Sequence, residues 1–404
     1  MHATLFRSAL VLGLLSAIGP FSIDMYLPAM PQIGASLGAS ETAVQLTITL
    51  YLLAFGVSQF LWGPLADAFG RKPPLVAGIL LFIAGSIGCA FAPDLDWLLA
   101  GRFVQGIGAA SVGVVPRAVA RDRFTGVEAT KLLAMMMLVI AVSPMLAPLA
   151  GSVALLSGSW RVIFALLVAV GIMSLLVTLL ALPETLDRRD RVPVNLRSMA
   201  SGCRVLVADP VFMSLSFVSA FGFASFFVFI AAAAFVYTGY FGLSQTGFSL
   251  AFAVNALGFF AASQLSAAAT QRFGVMAMVR WPLVAFAGVS ILLLALVAAG
   301  FGTLPVIMGL LFCANAALGL VMPVAFVMAI EEHGEVAGLA SSLAGTIQMV
   351  TGSLVVTLMA PFFDNTPLPM VAAIALCGTL AAAIGLLAFR RVPAAAGAPR
   401  EEPA

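Results

Sequence analysis

The chain has 404 residues, of which 62% are hydrophobic and only 9% charged, with a formal net charge of +2. Soluble domains carry about 25% charged residues, so this composition excludes a water-soluble globular protein. Long apolar runs broken by short polar ones point instead to a polytopic helical membrane protein, and the near-neutral total gives no sign of a nucleic-acid partner.

In chain order, the first apolar run follows Arg7 and reads as a retained helix. Its flank "DMYLPAMPQIG" offers no small-x-small cleavage site, which argues against a signal peptide. At about 20 apolar residues per crossing, the sequence predicts six spans at 7–28, 43–66, 74–93, 97–119, 131–155 and 160–181. Six more follow at 211–238, 246–269, 276–299, 303–329, 336–360 and 369–390. Helices are expected throughout, because the bilayer core offers no water to satisfy exposed backbone groups.

Between the two sets lies the longest polar stretch, 183–210, with arginines, prolines and the string "LPET" at its start. The expected organisation is an N-terminal bundle (1–182), a cytoplasmic linker (183–210), a C-terminal bundle (211–390) and a cytoplasmic tail (391–404). A short amphipathic helix on the membrane surface is expected around 194–207. Two sets of six suggest duplication, with a binding site near the midplane between them. One faint echo supports this: "LADAFGRK" after span 2 and "ATQRFGV" after span 8 align Phe-Gly in register, with Gln271 where Asp67 stands.

Charge placement orients the chain. Only Arg102 and Arg161 fall toward the far side, leaving 17 of the 19 Lys and Arg on the side of the N-terminus. The positive-inside rule then puts both termini in the cytoplasm. The four cysteines (Cys89, Cys203, Cys313, Cys377) show no metal-ligand spacing, and three lie inside apolar spans as small packers. His2 and His333 are far apart, and no HExxH string occurs. No metal, cofactor or catalytic residue is expected; an intramembrane enzyme would need a nucleophile with a base, or a carboxylate pair.

The segment "GPLADAFGRKPPL" (63–75) is the most specific. Asp67 and Arg71 are four residues apart and can pair at a helix end, while Gly63 allows a close helix approach. With Gly63, Asp67, Gly70, Arg71 and Lys72 in place, the segment resembles the loop signature of the major facilitator superfamily. That resemblance implies twelve helices in two pseudo-symmetric six-helix bundles, and a second contact from Arg71 to Asp122. It implies an inner gate locked by these residues in the outward-facing state.

Two further strings extend the resemblance. "RFVQGIGAAS" (102–111) places Arg102, Gln105, Gly106 and Ala109 on one helix face, and is similar to the superfamily's Arg-x-x-Gln-Gly motif. An interfacial arginine snorkelling outward is the plainer reading. "SPMLAPLAGS" (143–152), through Ser143, Ala147, Pro148, Gly151 and Ser152, resembles a relaxed antiporter motif in which small residues replace three of four glycines. Ordinary small-residue packing with a proline kink would look alike. "FSIDMYLPAMP" with Gln45, Thr47 and Tyr51 of span 2 resembles the bicyclomycin and chloramphenicol resistance (Bcr/CflA) branch of the drug:proton antiporters.

Asp24 then stands out. It is the sole carboxylate well inside the first six spans, and the last six show none at comparable depth, only Asn255, Gln264, Asn315 and Gln348. A charged Asp at mid-helix depth costs about 2.5–3.5 kcal/mol on insertion scales. Two readings remain: a proton carrier partnered by Arg102, or a helix-end cap bonded to the loop before Pro28. The resemblance implies proton-coupled efflux of small amphiphilic drugs, amphenicol-like or bicyclomycin-like, by a monomer in the bacterial inner membrane, driven by the proton gradient without a cofactor. Tyr26, Gln45, Tyr51 and Gln105 are the expected cavity-lining groups, with aromatic and Met residues of spans 5 and 7. Export of an endogenous metabolite, such as a sugar or nucleoside, is the rival expectation.

Overall fold

A computed structural model describes residues 2–124, 126–331, 333, 337–364 and 366–389. The expected tail 391–404 lies outside the described residues. Among the described residues there are no strands, and twelve segments are long and apolar enough to cross a bilayer.

The first span is longer than the sequence suggests. α1 (His2–Asp24) passes through a 3-10 turn (Leu27–Ala29) into α2 (Met30–Leu37), so the crossing segment is Arg7–Leu37 rather than 7–28. The prolines explain the difference. Pro28 and Pro31 sit in the first positions of the turn and of α2, where a missing N–H is an orphan anyway. They restart the helix instead of ending it. Leu37 lies 13 residues beyond Asp24, which puts Asp24 roughly 20 Å from that end at about 1.5 Å per residue.

The remaining spans follow expectation within a few residues. α3 (Glu41–Phe69) is capped by Ser40, whose side chain accepts from Ala43 N–H. α4 (Lys72–Ala90), α5 (Leu95–Arg123), α6 (Gly126–Leu155) and α7 (Arg161–Ala181) complete the first set. The linker holds α8 (Leu196–Ala208), capped by Asn195 and packed on its neighbours through buried Leu206. The second set comprises α9 (Pro210–Phe235), α10 (Gln245–Phe273), α11 (Val275–Ala298), α12 (Leu304–Glu331), α13 (Ala337–Met359) and α14 (Pro367–Phe389).

Within the first set α5 packs on α1, α3 and α4; within the second α9 packs on α12, α13 and α14. The sets meet chiefly along α3–α13 and α6–α10. The α3–α13 seam runs the length of both helices: Thr42 Oγ1 donates to Ala360 O (3.1 Å), Ser353 Oγ to Thr49 O (3.0 Å) and Thr346 Oγ1 to Gly56 O (2.8 Å). The α6–α10 bonds gather at the end opposite the basic loops. There Ser249 Oγ donates to Pro148 O (2.9 Å) and lies 2.7 Å from Ser152 Oγ, which donates to Gln245 O (3.0 Å).

Candidate functional site

The break in the first span positions the site. α1 ends at Asp24, and the following turn closes through backbone bonds from Met25 N to Phe21 O and from Tyr26 N to Ile23 O. Asp24 is 3% exposed and lies near Tyr51. No ion pair among the described residues engages its carboxylate, and no loop N–H donates to it, so the cap reading finds no such bond. The α6 motif holds this break in place: a Cβ on Gly151 would collide with the Met25 carbonyl oxygen, so only glycine lets α6 come this near. Ala147 and Pro148 are buried beside it, and Ser143 is buried with its hydroxyl unpaired.

Arg102 is fully buried rather than snorkelling. Its Nη1 donates to Gln105 Oε1 at 2.6 Å and to the Ser22 carbonyl at 3.4 Å. The guanidinium carbon lies 4.6 Å from the Tyr26 ring centre and 4.3 Å from that of Tyr51. Two rings around a desolvated cation contribute about 2 kcal/mol or more in favourable cases, which offsets part of the burial penalty. Nε and Nη2 nevertheless have no hydrogen-bond acceptor. Arg102 therefore reaches residues 22 and 26 of the first span without pairing with Asp24 between them.

The expected cavity residues are largely engaged with one another. Tyr26 OH meets Thr47 Oγ1 at 2.8 Å, Tyr51 OH meets Ser22 Oγ at 2.6 Å, and Gln105 Nε2 donates to Ser86 Oγ at 2.8 Å. This network ties α1, α3, α4 and α5 around Arg102. Gly106 fits the same seam, since a Cβ there would lie 2.5 Å from Tyr51 O. Gln45 stays outside the network, buried, with its Nε2 unpaired. Ser22 and Ser86 are network members that no sequence motif marks. Ser22 had a signal, two residues before Asp24; Ser86 had none.

At the basic end, the loop motif forms a clasp. Arg71 Nε and Nη2 donate to the two oxygens of Asp122 (2.7 and 3.1 Å), and Nη1 donates to Asp67. Burial pushes the Arg71 pKa down, but the hydrogen bonds and charges of Asp122 and Asp67 outweigh it, and the balance is upward. Glu184 of "LPET" completes the clasp by accepting from the N–H groups of Arg71 (2.8 Å) and Lys72 (3.1 Å) at the start of α4, a place that favours an anion. Thr185 Oγ1 donates to Asp122 (3.0 Å), and Lys72 Nζ to Leu179 O (2.8 Å). Every partner found for the clasp belongs to α3, α5, α7 or the segment after it. Among the described residues it ties the first set of helices to the linker. Gly63 alone faces the other half: a Cβ there would lie 3.7 Å from Ser342 Oγ of α13.

Residues 12–356 match the Major Facilitator Superfamily. The chain belongs to that family. Among its relatives, "Uncharacterized MFS-type transporter YdgK" of Bacillus subtilis is 34% identical over 94% of both chains. "Bicyclomycin resistance protein homolog" of Haemophilus influenzae is 29% identical over 92% of this chain and 93% of its own. "Multidrug resistance protein MdtL" of Citrobacter koseri is 37% identical over 41% of this chain and 43% of its own. Among solved structures, a D-xylose–proton symporter superposes with a TM-score of 0.74 at 18% identity, covering 96% of this chain and 98% of its own. A likeness that distant shows the fold alone. As a member of the Major Facilitator Superfamily, the protein is a multi-pass membrane transporter and not an enzyme.

Proposed function

We propose that this transporter exports small amphiphilic drugs, amphenicol-like or bicyclomycin-like, across the bacterial inner membrane in exchange for protons. It works as a monomer by alternating access, with both termini in the cytoplasm. One observation carries the reading: Asp24 is the single carboxylate among the buried residues described, and a buried Arg102 with two unpaired N–H-bearing nitrogens lies beside the same stretch of chain. The names of the relatives support drugs as the substrate class.

An isolated buried charge is costly unless paired. In this reading Asp24 holds the proton whenever no cation reaches its carboxylate, as none does here among the described residues. When the proton leaves toward the cytoplasm, the carboxylate gains the free N–H groups of Arg102. Drug and proton thus compete for one environment, and proton entry from outside displaces the drug outward. A membrane potential adds about 2.3 kcal/mol per charge per 100 mV. The α6–α10 bonds at the end opposite the clasp fit a closed outer side.

Inverted membrane vesicles test this. Wild type should accumulate chloramphenicol under an imposed pH gradient, whereas Asp24→Asn should fall to the background of empty vesicles. Accumulation by Asp24→Asn at the wild-type level would overturn the reading. A susceptibility panel in a pump-deficient host that shows no change for any compound would favour the metabolite exporter.

A further inference from the structure

Beside the clasp, the start of α4 and the end of α7 leave a cavity of about 800 Å³ that the linker closes on one side. Part of its lining is apolar: Val76 and Leu179 come from two crossing segments, and Leu186 from the linker. Leu179 is 48% exposed and the adjoining Leu180 84%, so this wall runs on into the bilayer-facing side of α7. The rest of the lining carries Lys72, Arg188 and Arg191. One cavity thus joins a cluster of cations to an apolar helix surface. It does so at the ends of two crossing segments, where a bilayer passes from chains to headgroups.

The carboxylates of the cavity are already engaged. Glu184 accepts from the N–H groups of Arg71, Lys72, Thr185 and Leu186, and Asp187 accepts from Arg189 N–H (3.1 Å). The cations are not. Among the described residues no carboxylate pairs with Lys72, Arg188 or Arg191. Lys72 Nζ donates to the Leu179 carbonyl (2.8 Å). Arg191 is held over the clasp, because Val192 N donates to Asp67 O (3.1 Å), yet its Nε is buried without an acceptor. A buried guanidinium nitrogen without an acceptor is costly, and three cations without carboxylates around one space attract an anion.

We propose that this cavity binds the headgroup of an anionic phospholipid, with the phosphate among Lys72, Arg188 and Arg191 and the chains along Val76 and Leu179. An arginine fork matches phosphate oxygens with two parallel hydrogen bonds, and basic pockets between membrane helices take such headgroups. The apolar wall selects a lipid over a free phosphate, because only a lipid covers Leu179 as well. A bound phosphate joins α4 to the linker next to Glu184. It adds a second tie between the first set of helices and the segment that leads to the second. Neither the identity of the drug nor proton coupling enters this assignment.

Native mass spectrometry of the full chain, delipidated in detergent and titrated with phosphatidylglycerol or zwitterionic phosphatidylcholine, tests it. Wild type should bind phosphatidylglycerol about tenfold or more the tighter of the two. Arg188→Gln and Arg191→Gln should each bind it about fivefold more weakly, the effect of one cation at an anionic surface. Arg272→Gln, which removes an exposed arginine outside the cavity, should bind as wild type does. Inorganic phosphate in large excess should leave the lipid bound. Melting temperatures without lipid check folding, and the exposed Arg188 decides even where Arg191→Gln melts early. Equal uptake of the two lipids, unchanged binding by Arg188→Gln, or an equal loss in Arg272→Gln would overturn the site. Displacement by inorganic phosphate would overturn the lipid as its occupant.

Discussion

The turn ending α3 and the turn ending α10 share a backbone shape: Gly70 has φ 95° and ψ 168°, and Gly274 has φ 83° and ψ 155°. Both follow phenylalanine, which is the Phe-Gly echo visible in the sequence. Their surroundings differ completely. A Cβ on Gly70 would meet Glu184 Oε2 at 2.6 Å and Arg191 Nη2 at 2.8 Å, whereas a Cβ on Gly274 would meet nothing within 4 Å. Where Asp67 and Arg71 close the first turn, Gln271 and Val275 stand exposed at the second.

The difference separates two roles that one motif combines. The left-handed glycine ends a helix and reverses the chain in both halves. The charges add cohesion in one half alone, by joining α3, α5 and the linker at one point. Removing the guanidinium should therefore have the largest effect. Arg71→Met leaves a largely buried Asp122 without its cation and should cost about 2–3 kcal/mol, toward the low side for buried pairs because Asp67 is half-exposed. At the second turn, where Val275 takes the place of Arg71, the nearby Arg272→Met removes an exposed arginine lying over Phe273 and should change stability by less than about 0.5 kcal/mol. Thermal unfolding in detergent checks both. Equal losses would mean that the clasp contributes no more than any surface arginine.

How far these features were legible in the sequence depends on how local their causes are. The twelve spans follow from run length, and Arg71 with Asp67 from a spacing of four. The Arg102–Gln105 bond lies on the face that a spacing of three predicts. The first span runs past the length its sequence suggests because Pro28 and Pro31, which look like stops, sit in first helical turns. The Tyr26–Arg102–Tyr51 sandwich draws on three helices, and no local pattern announces it. Glu184 lies more than a hundred residues from the α4 start that it caps; "LPET" marked the place but not the bond.

Glycine substitutions sharpen the comparison next. Gly274→Ala introduces backbone strain alone, about 1 kcal/mol. Gly70→Ala adds the clash with Glu184 to the same strain and should cost about 2 kcal/mol or more, with Glu184 pushed off the α4 N-terminus. The two melting temperatures should differ in that order. A Gly70→Ala protein as stable as Gly274→Ala would show that Glu184 moves aside without loss.

The smallest expected effect is a pH dependence belonging to the first turn only. Burial raises the pKa of Glu184, but N–H groups of Arg71, Leu186, Lys72 and Thr185 outweigh it and hold the carboxyl below its ordinary value. A carboxyl with a depressed folded-state pKa contributes stability above its unfolded value, about 4.3. That contribution disappears as pH falls through the folded-state value. The melting temperature of wild type should therefore drop more steeply below about pH 4.3 than that of Glu184→Gln. At pH 7 the variant should be the less stable of the two, because a neutral amide accepts more weakly at a helix N-terminus. The bare turn at Gly274 has no such carboxylate, so Gln271→Glu, its nearest exposed position, should leave the acid limb of the curve as it is. Parallel acid limbs for wild type and Glu184→Gln would mean that the four N–H groups hold Glu184 equally well in either protonation state.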